Sequence, residues 1–204
     1  MPQPLLAPPF RPRRIAVEEY HRMLDVGILK DCDPVELLDG MLVYKDRSAR
    51  GEDPMSLGRR HVMAVNMLSD LNPAVRKHRC HLLAQAPITL APNDEPEPDG
   101  AVVRGKLTDY PNDHPTAADV FAMIEVSDSS LQQDRTRKAR LYATAGIPQY
   151  VIVNLVDDRI EVFTQPRVKL GKYAHVAHLK AGASLSLNCG PGKRVLVPVR
   201  DLLP

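Results

Sequence analysis

The run Tyr150–Val156 most constrains how this chain folds. It is apolar and largely β-branched, without the polar alternation of a strand that faces water, so it predicts a strand buried on both faces. A second strand-like run, Val120–Val126, precedes it. Between them, Gln132–Ala145 reads as a helix with Leu141 and Ala145 among its inward residues. Gly146-Ile147-Pro148 stops that helix, with glycine at the C′ position and proline beyond. Strand, helix and strand in this order form a βαβ unit. The two strands are therefore expected to be parallel and joined by a right-handed crossover.

The flanking sequence adds elements on both sides. Val17–Leu29 carries Tyr20, Leu24 and Ile28 at the spacing of one helical face. In Val35–Tyr44 the pair Asp39-Gly40 separates two apolar runs, and Asp-Gly is the turn chemistry of a tight hairpin. A helix start with Asp33 as N-cap and Pro34 at N1 is the competing reading. Lys45–Gly58 reads as a polar, mobile loop. Val62, Val65, Leu68, Leu71 and Val75 form a helical stripe, with His61 opening the helix on its edge. Leu82–Ala91 and Gly100–Arg104 are strand-like, and Tyr110–Pro115 is a loop. Asp157-Asp158 turns the chain into Arg159–Thr164, and Lys172–Leu179 and Val195–Val199 read as short strands before a closing turn at Asp201-Leu202-Leu203. His175 and His178 have no acidic partner nearby in sequence and read as structural.

A chain of 204 residues with 44% hydrophobic residues suits one domain with a real core. We assign residues 16–204 to it and residues 1–15 to a flexible Pro/Arg-rich arm. No tryptophan, three phenylalanines and six tyrosines argue against a single-strand binder built on stacked rings. The net charge of +2 confines any nucleic-acid contact to local patches. Cys32, Cys80 and Cys189 are too scattered for a disulfide framework or a zinc site, so a cytoplasmic setting is expected. No run has the length to cross a membrane, and no membrane partner is expected.

Two acids occupy places where a core strand would otherwise be apolar. Asp99 follows Pro98 at the edge of one strand, and Glu125 lies inside Val120–Val126. Asp134 and Lys138 follow on the next helix. Two converging carboxylates hold a divalent cation, and a nearby ammonium orients a water or stabilises developing negative charge. That is the equipment of a metal-dependent phosphodiesterase. Each residue also has a plainer role. Pro-Asp-Gly is a turn sequence, and a buried Glu125 is satisfied by a salt bridge to lysine. Asp134 and Lys138 stand at i, i+4 like a surface pair, His61 is a polar helix start, and Glu36 a strand-edge acid. Arg135, Arg137 and Arg140 face either phosphates or solvent.

The ordered motifs Glu36-Leu37-Leu38-Asp39-Gly40, His61, Pro96-Glu97-Pro98-Asp99, Glu125-Val126-Ser127, Asp134-x-x-x-Lys138-x-x-x-Tyr142 and Gly146-Ile147-Pro148-Gln149-Tyr150 together resemble the Uma-two family over roughly residues 16 to 203. That family belongs to the PD-(D/E)XK nuclease superfamily. The resemblance implies an α/β (α+β) restriction-endonuclease-like fold, a central mixed β-sheet flanked by helices. It further implies a Mg²⁺-dependent (or Mn²⁺-dependent) endonuclease acting on DNA. Asp99, Glu125 and the Val126 carbonyl would hold the metal, Lys138 would be catalytic, and Glu36 and His61 would line the same cleft. Ser127 stands where the superfamily motif carries its lysine, so Lys138 is the migrated candidate. A crossover helix antiparallel to the strands would carry Lys138 away from the strand ends, which makes its reach the critical question. A homodimer is left open. The rival function is a catalytically quiet nucleic-acid-binding or assembly module on the same fold.

Overall fold

The computed structural model describes residues 12–30, 33–45, 58–90 and 92–204. The arm up to residue 11, most of the 45–58 loop and Cys32 lie outside the described residues. The chain runs through α1 (Val17–Asp25), the hairpin β1 (Val35–Leu38) and β2 (Met41–Tyr44), α2 (Arg59–Ser69) and the short α3 (Asn72–Arg76). Strands β3 (Cys80–Ala84), β4 (Gly100–Arg104) and β5 (Val120–Ser127) come next. Helix α4 spans residues 131–144, with a π-helical turn at Asp134–Lys138 between two α-helical pieces. Strands β6 (Gln149–Asn154), β7 (Arg159–Arg167) and β8 (Lys172–Leu179) follow, and the hairpin β9 (Ser184–Asn188) and β10 (Arg194–Pro198) completes the order.

The central sheet has six strands in the order β3-β4-β5-β6-β7-β8. Only β5 and β6 pair in parallel, as the βαβ reading requires; the other neighbours are antiparallel. The fold is a mixed α+β architecture around a mixed sheet. Strand residues alternate between two apolar layers. Val102, Ala122, Ile124, Val126, Val151 and Val153 join a layer with α2, α3, β9 and β10. Ala101, Val103, Met123, Tyr150 and Ile152 join the opposite layer with α4. Both faces are therefore covered, which explains the unbroken apolar run of β6. Glu125 falls in the second register, on the face under α4.

The Asp39-Gly40 turn has positive φ at both residues, 55° and 68°, as a two-residue hairpin of this type demands. Several boundaries differ from the sequence reading. Helix α1 ends at Asp25, because Gly27 takes a φ of +75° and turns the chain away, leaving Ile28 exposed. The Val62–Val75 stripe is two helices broken before Pro73, and Val62 is exposed. Strand β3 covers Cys80–Ala84 only, since Gln85 adopts a positive φ and prolines follow. Strand β9 was not anticipated. His175 and His178 lie exposed on edge strand β8 and support no core packing.

Candidate active site

Lys138 is buried and its ammonium lies 3.0 Å from Glu125 Oε1 and 3.7 Å from Glu36 Oε1. The expected conflict over its reach is resolved by where the partners sit. Glu125 is two residues inside the end of β5, and α4 begins only at Leu131 and runs back over the sheet. Lys138 closes the π-helical turn, a rare local geometry that recurs at functional sites. One turn on, Tyr142 Oη donates to Glu125 Oε1 at 2.6 Å. Asp134 interacts with Lys138 only through its charge and makes no hydrogen bond or salt bridge to it. It is buried, and its Oδ2 accepts from Ser127 Oγ and Ser130 Oγ, each at 2.6 Å. The surface-pair reading of Asp134 and Lys138 is therefore excluded by burial.

Asp99 immediately precedes β4. Its Oδ2 accepts the Val126 N–H at 2.8 Å, and its Oδ1 lies 3.2 Å from His61 Nε2. The antiparallel register pairs Gly100 with Ile124; carried two residues on, it sets Pro98 opposite Val126. Proline has no N–H, so the ladder offers no donor to the Val126 carbonyl there. Gly100 also lets α2 approach closely, since an added Cβ would meet Leu68 Cδ1 at 3.3 Å. That approach brings His61, buried near the start of α2, onto Asp99.

Glu36 arrives on β1 because α4 grips the hairpin tip. Arg140 Nη2 donates to Asp39 at 2.6 and 2.8 Å, and Arg137 reaches the Leu38 carbonyl at 3.0 Å and Asp39 at 3.3 Å. Arg135 pairs with Glu161 of β7. The three arginines of this helix thus pair with neighbouring elements, Arg140 while remaining exposed to solvent. The Glu97 N–H donates to Glu36 Oε2 at 3.2 Å, and Lys45 pairs with Glu97.

Glu36, Asp99, Glu125, Val126 and Lys138 line one open cleft of about 150 Å³, together with Tyr44, Lys45, Gln85, Glu97, Ser130, Gln133 and Asp134. Among the described residues its walls carry five carboxylates against two ammonium groups. Burial pushes the Glu125 carboxyl up to about 8, with Asp134 and Asp99 adding repulsion against the pull of Lys138. Burial also acts to raise Asp99, but His61, the Val126 amide and Lys138 outweigh it and hold this carboxyl below its ordinary value. Desolvation works against the Lys138 charge, yet Glu125, Glu36 and Asp134 raise it above the ordinary lysine value. The cleft therefore contains one acid ionised early, one ionised late and a permanent ammonium. Hard oxygen donors in excess of cations suit Mg²⁺, which takes one or two carboxylates and keeps several waters.

Asp99, Glu125, Lys138, Glu36 and His61 are thus brought together, the last through Asp99. The sequence reading gave no site role to Tyr142, although its place one turn after Lys138 was the available signal. Gln85, Ser130 and Gln133 carry no such signal, because only the folded loops bring them to the cleft.

The architecture is shared with a solved structure described as "Crystal structure of a putative nuclease belonging to DUF820 from Anabaena variabilis ATCC 29413". The two superpose with a TM-score of 0.66 over 92% of this chain and 97% of that one, at 15% identity, a likeness of fold. No curated protein matches the sequence. Residues 17–197 match the family described as "Uma2: Putative restriction endonuclease". That span includes every residue placed in the cleft, and the chain belongs to this Uma-two family of restriction-endonuclease-like proteins.

Proposed function

We propose that the cleft hydrolyses DNA phosphodiester bonds with Mg²⁺ or Mn²⁺ as its resident cation. The observation that carries this reading is the buried Lys138 ammonium held 3.0 Å from Glu125 in the cleft that Asp99 also lines. The family description and that of the structural neighbour support nuclease chemistry and, through it, a DNA substrate. Asp99, Glu125 and the Val126 carbonyl would hold the cation. When bound, such an ion polarises a phosphate oxygen and makes a bound water more acidic.

The protein's own groups do the positioning. His61 and the Val126 N–H fix both oxygens of Asp99, while Tyr142 and Lys138 fix Glu125. An ammonium has three N–H groups. Glu125 accepts one of them at 3.0 Å and Glu36, at 3.7 Å, is an ion-pair neighbour only, which leaves N–H groups for an attacking water or a non-bridging phosphate oxygen. Glu36 thus acts as a positioning residue for Lys138. Among the described residues the excess of carboxylates also weighs against a metal-free binding module, because acidic walls repel a phosphate.

The test is conversion of supercoiled plasmid to nicked and linear forms. Wild-type protein should cleave with Mg²⁺ or Mn²⁺ and stop when a chelator is added, and Glu125→Ala should be inactive. Cleavage that survives chelation, or equal cleavage by Glu125→Ala, would overturn the assignment.

A further inference from the structure

A second constellation lies outside the cleft. His21 of α1, Glu95 and His114 each offer one donor atom, and these atoms all lie within 4.8 Å of one another. Among the described residues no other trio of histidine, cysteine or acidic side chains does so. Glu95 is buried at 2% exposure, whereas the His21 side chain is 41% exposed and His114 is exposed, so an ion has a route in. His21 Nε2 lies 2.8 and 3.0 Å from the two Glu95 oxygens, and its ring meets that of His114 edge-on at 6.1 Å between centroids.

We propose that His21, Glu95 and His114 form a separate site for Zn²⁺ or a similar late transition-metal ion, bracing α1 and the 105–116 connection against the β1 side of the cleft. Two imidazoles and one carboxylate suit zinc, with water completing a tetrahedron. They suit Mg²⁺ poorly, since it takes oxygen donors. The support behind the donors is already in place. Thr89 Oγ1 donates to Glu95 Oε2 at 2.7 Å, orienting the carboxylate as partners of metal ligands do. The Glu95 N–H is held by the Leu37 carbonyl at 2.8 Å, and the Thr89 N–H by the Pro115 carbonyl at 2.9 Å, next to His114. Metal–ligand bonds of about 2.0–2.1 Å at tetrahedral angles separate donors by roughly 3.3 Å. The His21–Glu95 spacing must therefore open by only about half an ångström, within the reach of side-chain rotation.

The consequence reaches the cleft. Glu95 begins the segment Glu95–Asp99, in which Glu97 holds Glu36 and Asp99 lines the cleft. Locking its first residue restrains the segment that carries both contacts.

The experiment is titration of the full chain with Co²⁺, read by its visible d–d absorption and by thermal unfolding, in a large excess of Mg²⁺. One Co²⁺ per chain should bind, raise the unfolding temperature and be displaced by Zn²⁺. His114→Ala, at an exposed position that tolerates truncation, should lose at least about 100-fold in affinity, as should Glu95→Gln, since ligand loss exceeds the 10–100-fold typical of outer-shell changes. Asp99→Asn should leave the titration unchanged. Full affinity in His114→Ala, loss of the signal in Asp99→Asn instead, or no Co²⁺ uptake by the wild type would overturn the proposal. The last result would leave His21 and Glu95 a simple ion pair.

Discussion

Replacing Lys138 by methionine removes the ammonium while keeping the length of the chain, so the effect is one of charge rather than of a cavity. In the native protein the Glu125 carboxyl is pushed up to about 8 from an ordinary 4.5. Between those values the fold holds a proton that the unfolded chain has released. Stability therefore falls as pH rises, by up to about 1.4 kcal/mol per pH unit. Above about 8 the carboxylate is ionised in both states and this decline ends. Lys138 is the nearest cation limiting that rise, and Tyr142 alone cannot replace it. In Lys138→Met the carboxyl titrates higher still and the decline continues. The variant should thus diverge from wild type above pH 8 by about 1.4 kcal/mol per unit, or roughly 2 kcal/mol by pH 9.5. For a domain of this size that is roughly 4–8 °C in unfolding temperature. Thermal unfolding followed by circular dichroism from pH 6 to 9.5, in chelator, reads it directly. Parallel stability curves for the two proteins would refute the coupling of Glu125 to Lys138.

Three further outcomes follow from the same geometry. His61→Gln removes the partner that keeps Asp99 below its ordinary value, so Mg²⁺-dependent cleavage should fall about 10–100-fold, most strongly at the acidic end of the pH–rate profile. Tyr142→Phe deletes the 2.6 Å bond to Glu125 and should cost about 1 kcal/mol in urea unfolding while the Lys138 contact keeps the carboxyl satisfied. Buried Glu161 is held down to about 2, with Arg135, Asn154 and Arg159 overcoming its desolvation. It therefore stabilises the fold above its ordinary 4.5, and that contribution is lost as pH falls toward 2. Glu161→Gln should be less stable at neutral pH and lose less stability than wild type across that acidic window, the remaining slope coming from other depressed carboxyls such as Asp99.

What the sequence revealed follows the reach of each interaction. The parallel β5–β6 pair was legible because burial on both faces leaves an apolar signature in Val120–Val126 and Tyr150–Val156. The Asp39-Gly40 turn was legible because only certain residues accept positive φ there. Asp99, Glu125 and Lys138 stood out because charge inside an apolar element is costly. The partners of these groups were less visible. His61 on Asp99 and Glu36 beside Lys138 join elements far apart in the chain. The roles of Arg135, Arg137 and Arg140 depended on Glu161 and Asp39, which only the folded sheet and hairpin bring into reach. The π-helical turn has no composition of its own. Strand β9 did carry a signal, since Ser184-Leu185-Ser186-Leu187-Asn188 alternates with period two and Leu185 and Leu187 are buried.

The central claim is that Asp99 and Glu125 share a divalent cation in the cleft beside Lys138. Anomalous scattering from a crystal grown with Mn²⁺ tests it most directly. The claim predicts a peak in contact with both carboxylates and the Val126 carbonyl, absent in Asp99→Asn. A well-ordered cleft without that peak, or Mn²⁺ found at His21, Glu95 and His114 alone, would contradict it.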